Sequence, residues 1–301
     1  KVRNMARPNR FETMIQNKNY IIKKLEELNQ NILSINDIGI FFNQEVKNAI
    51  GLPQSTTRSE FLSFLIDNEI IREITIKLPN RIMKKYTFGN VSNYEIALSI
   101  NKNSYLSHYT AMFLHGLTDN VPKVIYTNME QAKKSVAIPN QILIQENIDR
   151  AFSRPMRKTN NIAKLKDFNV ILLNGKNVDR LEVINIEINE KKLPITSIER
   201  TLIDIVTRPD YSGGTLETLN AYEEARGRFS TGRLIATLNK MNYTYPYHQA
   251  IGFYLERAGY DEKILKRFDK LDKQVDFYLT YQMKEKSYSN RWKLYYPSYL
   301  D

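Results

Sequence analysis

Two of the chain's three histidines, His108 and His115, lie seven residues apart in one short stretch, and histidine is the commonest side chain for metal binding and proton transfer. On a helix, this spacing places both rings on one face but separates them by roughly 10 Å along the axis. The two rings cannot share one zinc ion at that distance, and no cysteine or carboxylate cluster nearby completes a ligand set. The spacing favours structural roles, with His115 in the last turn of a helix and His108 in a buried polar contact.

A second pattern with catalytic potential is the order Asp179, then Glu190-Lys191-Lys192. In metal-dependent nucleases a D…E-x-K order supplies carboxylates that hold Mg²⁺ and a lysine that assists the attacking water. Here Glu190 and both lysines fall in a predicted hairpin turn, where a buried metal site is not expected, and the pattern is common by chance. A Mg-dependent nuclease stays as an alternative to a non-enzymatic protein.

The remaining polar groups have structural explanations. Asp204 follows Arg200 by four residues, so the two can pair along one helix face. Ser107 is a suitable helix N-cap. It is not expected to form a nucleophile–base pair with His108, because sequence neighbours point to different helix faces. Since the chain also lacks a glycine-rich phosphate loop, the sequence predicts no enzyme activity, no catalytic residue, no metal site and no cofactor.

Charge gives the broadest indication of a partner. The 301 residues include 44 Lys and Arg against 33 Asp and Glu, a net charge of +11 that favours a polyanion such as DNA or RNA, or an acidic protein. A hydrophobic fraction of 42% excludes a disordered chain, and no apolar run reaches the length of a membrane span. The lack of cysteine and of a signal-peptide pattern predicts a cytoplasmic protein.

The N-terminal third has the pattern of three helices followed by a β-hairpin. Apolar residues recur at helical spacing in the first two segments, Ser34 is a suitable N-cap, and a Gly-Leu-Pro turn precedes the third helix. Two alternating apolar runs then predict the strands of the hairpin. The first predicted helix covers residues 15–28, the second begins at Ser34, and the third begins within Gln54–Arg58. The predicted strands are Ile70–Lys77 and Met83–Phe88.

This order is typical of a winged helix-turn-helix, in which one helix enters the major groove of DNA and a basic hairpin, the wing, grips the flanking backbone. We expect a basic arm over residues 1–10, a winged-helix DNA-binding domain over 11–93 and a C-terminal domain over 94–301. Because Glu60 and Asp67 lie on the outer face of the third helix, only its N-terminal end is expected to touch DNA. The expected contacts are Arg3, Arg7 and Arg10 in the arm, Gln54, Thr56, Thr57 and Arg58 at the third helix, and Lys77, Arg81, Lys84 and Lys85 in the wing.

The remainder of the chain predicts a mixed α/β (α+β) domain. Its first helix lies in the stretch Tyr105–Pro122, begins after Ser107 and ends at Gly116. The other predicted strands are Val124–Thr127, Gln141–Ile144, Phe168–Leu173, a hairpin over Leu181–Ile195 and a closing hairpin of Val275–Leu279 with Trp292–Tyr296. The other predicted helices are Ile198–Val206, Thr215–Arg226, Thr231–Met241 and Ala250–Ala258.

Four short motifs of this second domain carry a family resemblance. They are YLSHYTAMFLHGLT at 105–118, PITSIERTLID at 194–204, PDYSGG at 209–214 and IGFYLERAG at 251–259. Together with the preceding winged helix, they resemble the AbiEi family, the antitoxins and transcriptional regulators of type IV toxin–antitoxin systems that act in abortive infection, a phage defence. The resemblance covers most of the chain.

The resemblance implies a repressor that binds repeats in its own promoter and counteracts a nucleotidyltransferase-like toxin, without a stable complex being required. The second domain would then support a homodimer, antagonise the toxin or add a DNA contact. For that contact, Arg154, Arg157 and Lys158 belong to a basic run without an acid before Asp167. The other alternative is an interaction protein that does not bind DNA and uses the tyrosines near the C-terminus as an interface.

Overall fold

Residues 8–133 and 143–301 are described in a computed structural model. They form two compact units, of which the first runs to Ile100 and also includes Ala163–Asp167, and the second comprises the rest. The first unit thus extends past the expected boundary at Asn93 and takes one segment from the middle of the expected second domain. The predicted contacts Arg3 and Arg7, and residues 141–142 of a predicted strand, lie outside the described residues, whereas residues 143–144 form no strand.

The first helical segment of the first unit begins at a capping box. Asn9 accepts hydrogen bonds from the amides of Phe11 and Glu12, and Glu12 accepts from the Asn9 amide, so Arg10 starts a helix and does not belong to an extended arm. The single helix predicted over 15–28 is two segments that meet at Asn17. They are α1 (Arg10–Gln16) and α2 (Lys18–Glu27).

The next two helices also start at side-chain caps. Ser34 and Asp37 form the capping box of α3 (Ile35–Phe41), as predicted, and the chain continues as a π-helical turn over Phe42–Val46. Thr57 caps α4 (Arg58–Asp67). Because α4 begins at Arg58, residues 54–56 precede the helix and do not form its first turn.

A β-hairpin follows, in agreement with the predicted alternation. Strand β2 (Ile71–Leu78) pairs antiparallel with β3 (Arg81–Phe88) over eight residue pairs, and a short β1 (Ile32–Leu33) adds to β3. Helix α5 (Asn93–Ile100) ends the contiguous part of the unit. The apolar core that joins helices and hairpin is formed by Ile21, Leu25, Leu33, Ile38, Phe41, Phe42, Phe61, Leu65, Ile71 and Tyr86, among others.

The segment Ala163–Asp167 belongs to this unit although 62 residues separate it from Ile100. Strand β6 (Ile162–Lys164) lies antiparallel to β2, with Lys164 opposite Lys77. Ala163 is buried and Lys164 is exposed. The chain therefore leaves the second unit and returns to the first for a few residues.

The second unit contains strands of both orientations. They are β4 (Tyr105–Leu106), β5 (Val124–Glu130), β7 (Asn169–Gly175), β8 (Val183–Ile188) and β9 (Lys191–Thr196). In spatial order they run β7, β5, β4, β9 and β8. Strands β5 and β7 are parallel over seven pairs and β4 and β9 are parallel, whereas β4 with β5 and β8 with β9 are antiparallel. This mixed sheet confirms the predicted α+β class.

Helices surround a large apolar core in this unit. Gly116, with φ +61°, ends the helix that follows β4, and the amides of Gly116 and Leu117 donate to the carbonyls of Phe113 and Met112, which confirms the predicted cap. Among the described residues, no helix is long and apolar enough to cross a membrane. The helices are α6 (His108–Leu114), α7 (Gln145–Phe152), α8 (Ile198–Thr207), α9 (Thr215–Glu224), α10 (Thr231–Met241), α11 (Tyr247–Arg257) and α12 (Glu262–Asp269).

The chain closes with a small separate sheet, and the prediction of a simple closing hairpin was wrong. Strand β10 (Phe277–Tyr278) pairs parallel with β12 (Leu294–Pro297), and β11 (Lys286–Ser289) pairs antiparallel with β12. The antiparallel partner of β12 is thus a strand that apolar alternation did not reveal.

Helix α11 passes directly over the only tryptophan of the chain. Trp292 is fully buried and its indole N–H donates to Glu256 at 2.7 Å. A Cβ at Gly252 would lie 2.2 Å from a ring atom of Trp292. Glycine is therefore required at this position because the ring occupies the space of a side chain.

We expect Gly252→Ala to destabilise the second unit by about 1–3 kcal/mol, since the methyl group forces the indole from its site. Urea unfolding followed by tryptophan fluorescence measures both the loss of stability and a red shift of the emission. In the matched helix variant Gly232→Ala, the added Cβ meets the end of the Arg267 side chain at 3.2 Å and the Ser230 hydroxyl at 3.8 Å, so stability should be unchanged or slightly higher. An unchanged midpoint and emission in Gly252→Ala would contradict this packing.

Candidate nucleic-acid interface

The start of α4 carries the four residues expected to read bases, and they have different roles. The Thr57 hydroxyl accepts from the Glu60 amide at 3.2 Å and donates to the Glu60 carboxylate at 3.0 Å, so it is engaged in the helix cap. Thr56 is buried. Gln54 and Arg58 are exposed, and the side-chain amide of Gln54 donates to Asn48 at 3.4 Å.

A shallow concavity of about 690 Å³ lies beside this helix start. Thr56 lines it, but the Thr56 hydroxyl is buried and has no hydrogen-bond partner among the described residues. A Cβ at Gly39 would lie 2.9 Å from Cδ of Arg58, so the missing side chain makes room for the Arg58 stem. The lining residues are Asn36, Gly39, Ile40, Phe42, Asn43, Lys47, Thr56 and Arg58.

Three polar residues of this concavity were not among the predicted contacts. Asn36 lies in α3, Asn43 in the π-helical turn and Lys47 directly after it, and all three line the concavity, at sequence intervals of seven and four residues. Lys47 also donates to the carbonyl of Gln54 at 2.8 Å and so fixes the loop before α4. The helical spacing of these polar residues was a usable signal in the sequence.

The carboxylate of Glu60 was expected to repel DNA phosphates, and its neighbours weaken that repulsion. Its carboxylate accepts from the Thr57 amide and hydroxyl, and it pairs with Arg10 at 2.7 Å. The hydrogen bonds from Thr57, together with the charge of Arg10, lower the pKa of Glu60. Arg10 thus offsets the charge of Glu60, which differs from the predicted role in a free arm.

The register of the hairpin divides the four basic wing residues between its two faces. Residues directly opposite in an antiparallel pair share a face, and successive residues alternate. Lys77 lies opposite Ile82, and Lys84 lies opposite Thr75, so both lysines are on one face. The other face carries Arg81 and Lys85 together with the buried Ile76 and the partly buried Met83 and Ile74.

The face of the hairpin that carries Lys77, Ile82 and Lys84 is exposed over its outer half, and we call it the open face. Ile82 near the tip is 67% exposed. Lys84 pairs with Glu73 at 2.9 Å on the same face. Lys164 of β6 lies opposite Lys77, so its side chain joins the open face. Lys164 falls in the second domain predicted from the sequence, because its pairing with Lys77, 87 residues earlier, leaves no local signal.

The proposed second contact lies in the second unit. Arg154, Arg157 and Lys158 are all exposed in the loop after α7. Lys158 pairs with Asp210 at 2.9 Å, whereas neither arginine has an ion pair within the described residues.

The histidines of α6 have separate structural surroundings. His115 contacts the Thr196 carbonyl at 2.6 Å through Nε2, and burial lowers its pKa, so it is a neutral donor and not a cation at the helix end. His108 has φ +50° and its Nδ1 lies 2.9 Å from the Ser107 hydroxyl. Ser107 stands at the expected N-cap position, but its side chain makes no capping hydrogen bond. The prediction that neighbouring Ser107 and His108 diverge was wrong because of the left-handed backbone at His108.

The buried pair of α8 is present as predicted. Nε of Arg200 donates to Asp204 at 2.8 Å, and the two side chains are 5% and 6% exposed. A second guanidinium nitrogen donates to the carbonyl of Leu181 at 3.0 Å. The pair therefore ties α8 to the loop before β8.

The groups of the nuclease-like pattern have other surroundings. Asp179 is exposed and pairs with Lys133 at 2.9 Å. Glu190 lies in the turn between β8 and β9 with φ +63°. Within residues 8–133 and 143–301, no group of three or more histidine, aspartate or glutamate side chains could hold a metal ion.

The fold of the chain is similar to that of a solved structure. No family model and no curated protein matches the chain. Among solved structures, the chain is similar to the RV2827C protein from Mycobacterium tuberculosis, with 15% sequence identity, a TM-score of 0.58 and coverage of 92% of this chain and 89% of that one. The two proteins share a fold over nearly their whole lengths.

The capping role of Thr57 leads to a stability prediction. We expect Thr57→Ala to lower the free energy of unfolding by about 1 kcal/mol, because the α4 cap is lost, while Thr57→Ser keeps the hydroxyl and most of the stability. Urea denaturation followed by circular dichroism measures both variants. Equal stability of Thr57→Ala and wild type would show that the hydroxyl does not cap α4.

Proposed function

We propose that the first unit is a winged helix-turn-helix that binds double-stranded DNA and that the chain is a transcriptional repressor. In this proposal α3 and α4 form the helix-turn-helix, and the β2–β3 hairpin is the wing. Short helices that pack on a hairpin through one core are the arrangement that this class of DNA-binding domain uses.

The observation that carries the proposal is the pairing of Lys77 with Lys164 on the open face. Like charges directly opposite each other on neighbouring strands destabilise a sheet. Lys84 lies on the same face and pairs with Glu73. A phosphate backbone along this face would turn the repulsion among the lysines into attraction.

The helix start supplies the groups for base recognition. Arg58 is exposed at the first position of α4, beside a concavity that Lys47 also lines. Arginine recognises guanine through two parallel hydrogen bonds, and glutamine recognises adenine in the same way. We therefore assign base reading to Arg58 and Gln54, with Thr57 holding the helix start in place.

The biological role follows the AbiEi resemblance of the sequence. We propose that the protein represses its own promoter at repeated sites and acts as the antitoxin of a type IV toxin–antitoxin system, against a nucleotidyltransferase-like toxin. The second unit would supply a homodimer contact or the antitoxin activity. Non-enzymatic action and a cytoplasmic location are part of the same proposal.

The wing assignment predicts a uniform loss of affinity. We expect Lys77→Ala and Lys164→Ala each to weaken binding to promoter and unrelated DNA alike, and to reduce the slope of log K against log salt by about 1, since each removes one phosphate contact. Fluorescence anisotropy over a salt series measures both quantities. Lys192→Ala, an exposed strand lysine of the second unit, is the control and should change neither. A Lys164→Ala variant with wild-type affinity and slope would refute the wing assignment.

The assignment of base reading to the start of α4 predicts a loss of discrimination between promoter and unrelated DNA. We expect Arg58→Ala to reduce the preference for promoter over unrelated DNA by about 1–3 kcal/mol, with a smaller effect on unrelated DNA. Competition binding measures the ratio of the two affinities. A preference that survives in Arg58→Ala would place base reading elsewhere.

A further inference from the structure

A polar cavity of about 160 Å³ lies inside the second unit, apart from the residues that the proposed DNA interface uses. It is partly enclosed by α6, β7, α8 and the loop after α10. The volume is below the roughly 300–1,000 Å³ of sites for drug-sized ligands, so a ligand of the cavity is small. The polar lining residues that matter here are His108, Lys176, Arg200, Asp204, Arg208 and Tyr243.

The charges that line this cavity do not balance. Lys176, Arg200 and Arg208 are cationic, and Asp204 is the single carboxylate of the lining. Asp204 is engaged by Arg200 at 2.8 Å. Lys176 is exposed and Arg208 is partly buried, so their charge is partly open to solvent. The remaining positive charge of the lining favours an anion over a cation.

Among the described residues, Arg208 is the lining cation whose side chain has no hydrogen-bond or ion-pair partner. Its guanidinium lies 5.9 Å from the centre of the Tyr211 ring, and it makes no hydrogen bond or ion pair with any residue that the structure describes. Lys176, by contrast, donates to the carbonyls of Met241 and Asn242 at 2.9 and 2.6 Å. Arg208 therefore has a planar set of donors free for a ligand.

Two further lining residues are neutral and can donate hydrogen bonds. Burial lowers the pKa of His108 to about 4. The charge of Asp204 partly opposes this shift, whereas the charges of Arg208 and Arg200 add to it, so the imidazole is uncharged near neutral pH. Its Nδ1 contacts Ser107, and Nε2 has no partner in residues 8–133 and 143–301. Burial raises the pKa of Tyr243, so its phenol keeps its proton.

We infer that this cavity binds a small oxyanion the size of a phosphoryl group, with Arg208 as its principal ligand. Lys176 adds positive charge, and the His108 and Tyr243 side chains complete the set of donors. The Arg200–Asp204 pair forms the wall and remains intact. The inference does not depend on DNA binding by the first unit.

The test is a calorimetric titration of the full chain with inorganic phosphate at pH 7, against chloride at matched ionic strength. We expect one saturable phosphate site per chain, a higher melting temperature in phosphate than in chloride, and at least about ten-fold weaker binding in Arg208→Gln, since a charge-assisted contact is lost. Arg267→Gln, an exposed arginine outside the cavity, should bind like wild type. Wild type without a saturable site, or Arg208→Gln with undiminished affinity, would overturn the inference.

Two further experiments are needed. One distinguishes a phosphate ester from free phosphate, and the other distinguishes the cavity from the proposed DNA interface. Adenosine monophosphate that binds at the same site indicates a phosphate ester as the ligand, and binding of inorganic phosphate alone indicates the free ion; both outcomes support the cavity. Promoter affinity, measured in phosphate-free buffer, should be the same in Arg208→Gln and wild type. A loss of promoter affinity there would overturn the inference by making Arg208 part of a DNA contact.

A measurement on the unaltered chain guards against a misfolded variant. Proton NMR should show that phosphate raises the pKa of His108 from its low value, because an adjacent anion favours the imidazolium. His248, which contacts the Asp272 carbonyl at 2.8 Å and does not line this cavity, should titrate as before. An unchanged His108 titration in saturating phosphate would contradict the proposed position of the ion.

Discussion

The antiparallel pairing of β6 with β2 is the constraint on which the candidate interface depends. It sets Lys164 opposite Lys77 and places both on the face of the hairpin that carries Lys84. The hairpin alone would offer two lysines on this face, one of them paired with Glu73. With Lys164 the face has excess positive charge that the sheet itself does not neutralise. The proposed phosphate contact is the physical explanation for this arrangement.

The parts of the fold that were predictable are those fixed by near neighbours in the chain. Ser34 with Asp37 marked α3, and Gly116 marked the end of α6, because a cap involves groups within a few residues. The hairpin was predictable because alternation and a short turn define it locally. Pairings between distant segments were harder to predict. The pairing of β6 with β2 was missed, and β10 was paired with β12 in the wrong orientation, because alternation within a strand specifies neither its partner nor its direction.

The candidate sites show the same limit. Sequence spacing gave the Arg200–Asp204 pair, because four residues on a helix bring the side chains together. It did not show that Arg208, one turn later, faces a cavity with His108 from α6. Thr57 was expected to read bases, but the same hydroxyl is the group that starts α4. Which of two suitable roles a polar side chain adopts depends on its neighbours in space.

Hydrogen exchange of the full chain, with and without promoter DNA, tests the central claim most directly. If the first unit is a winged helix that grips phosphate with its open face, DNA should slow exchange at residues 54–61, in the hairpin from Lys77 to Lys84, and at Ala163–Lys166. The three segments should be protected together, at a salt concentration that permits binding. Protection confined to the second unit, or its absence from residues 163–166, would contradict the account.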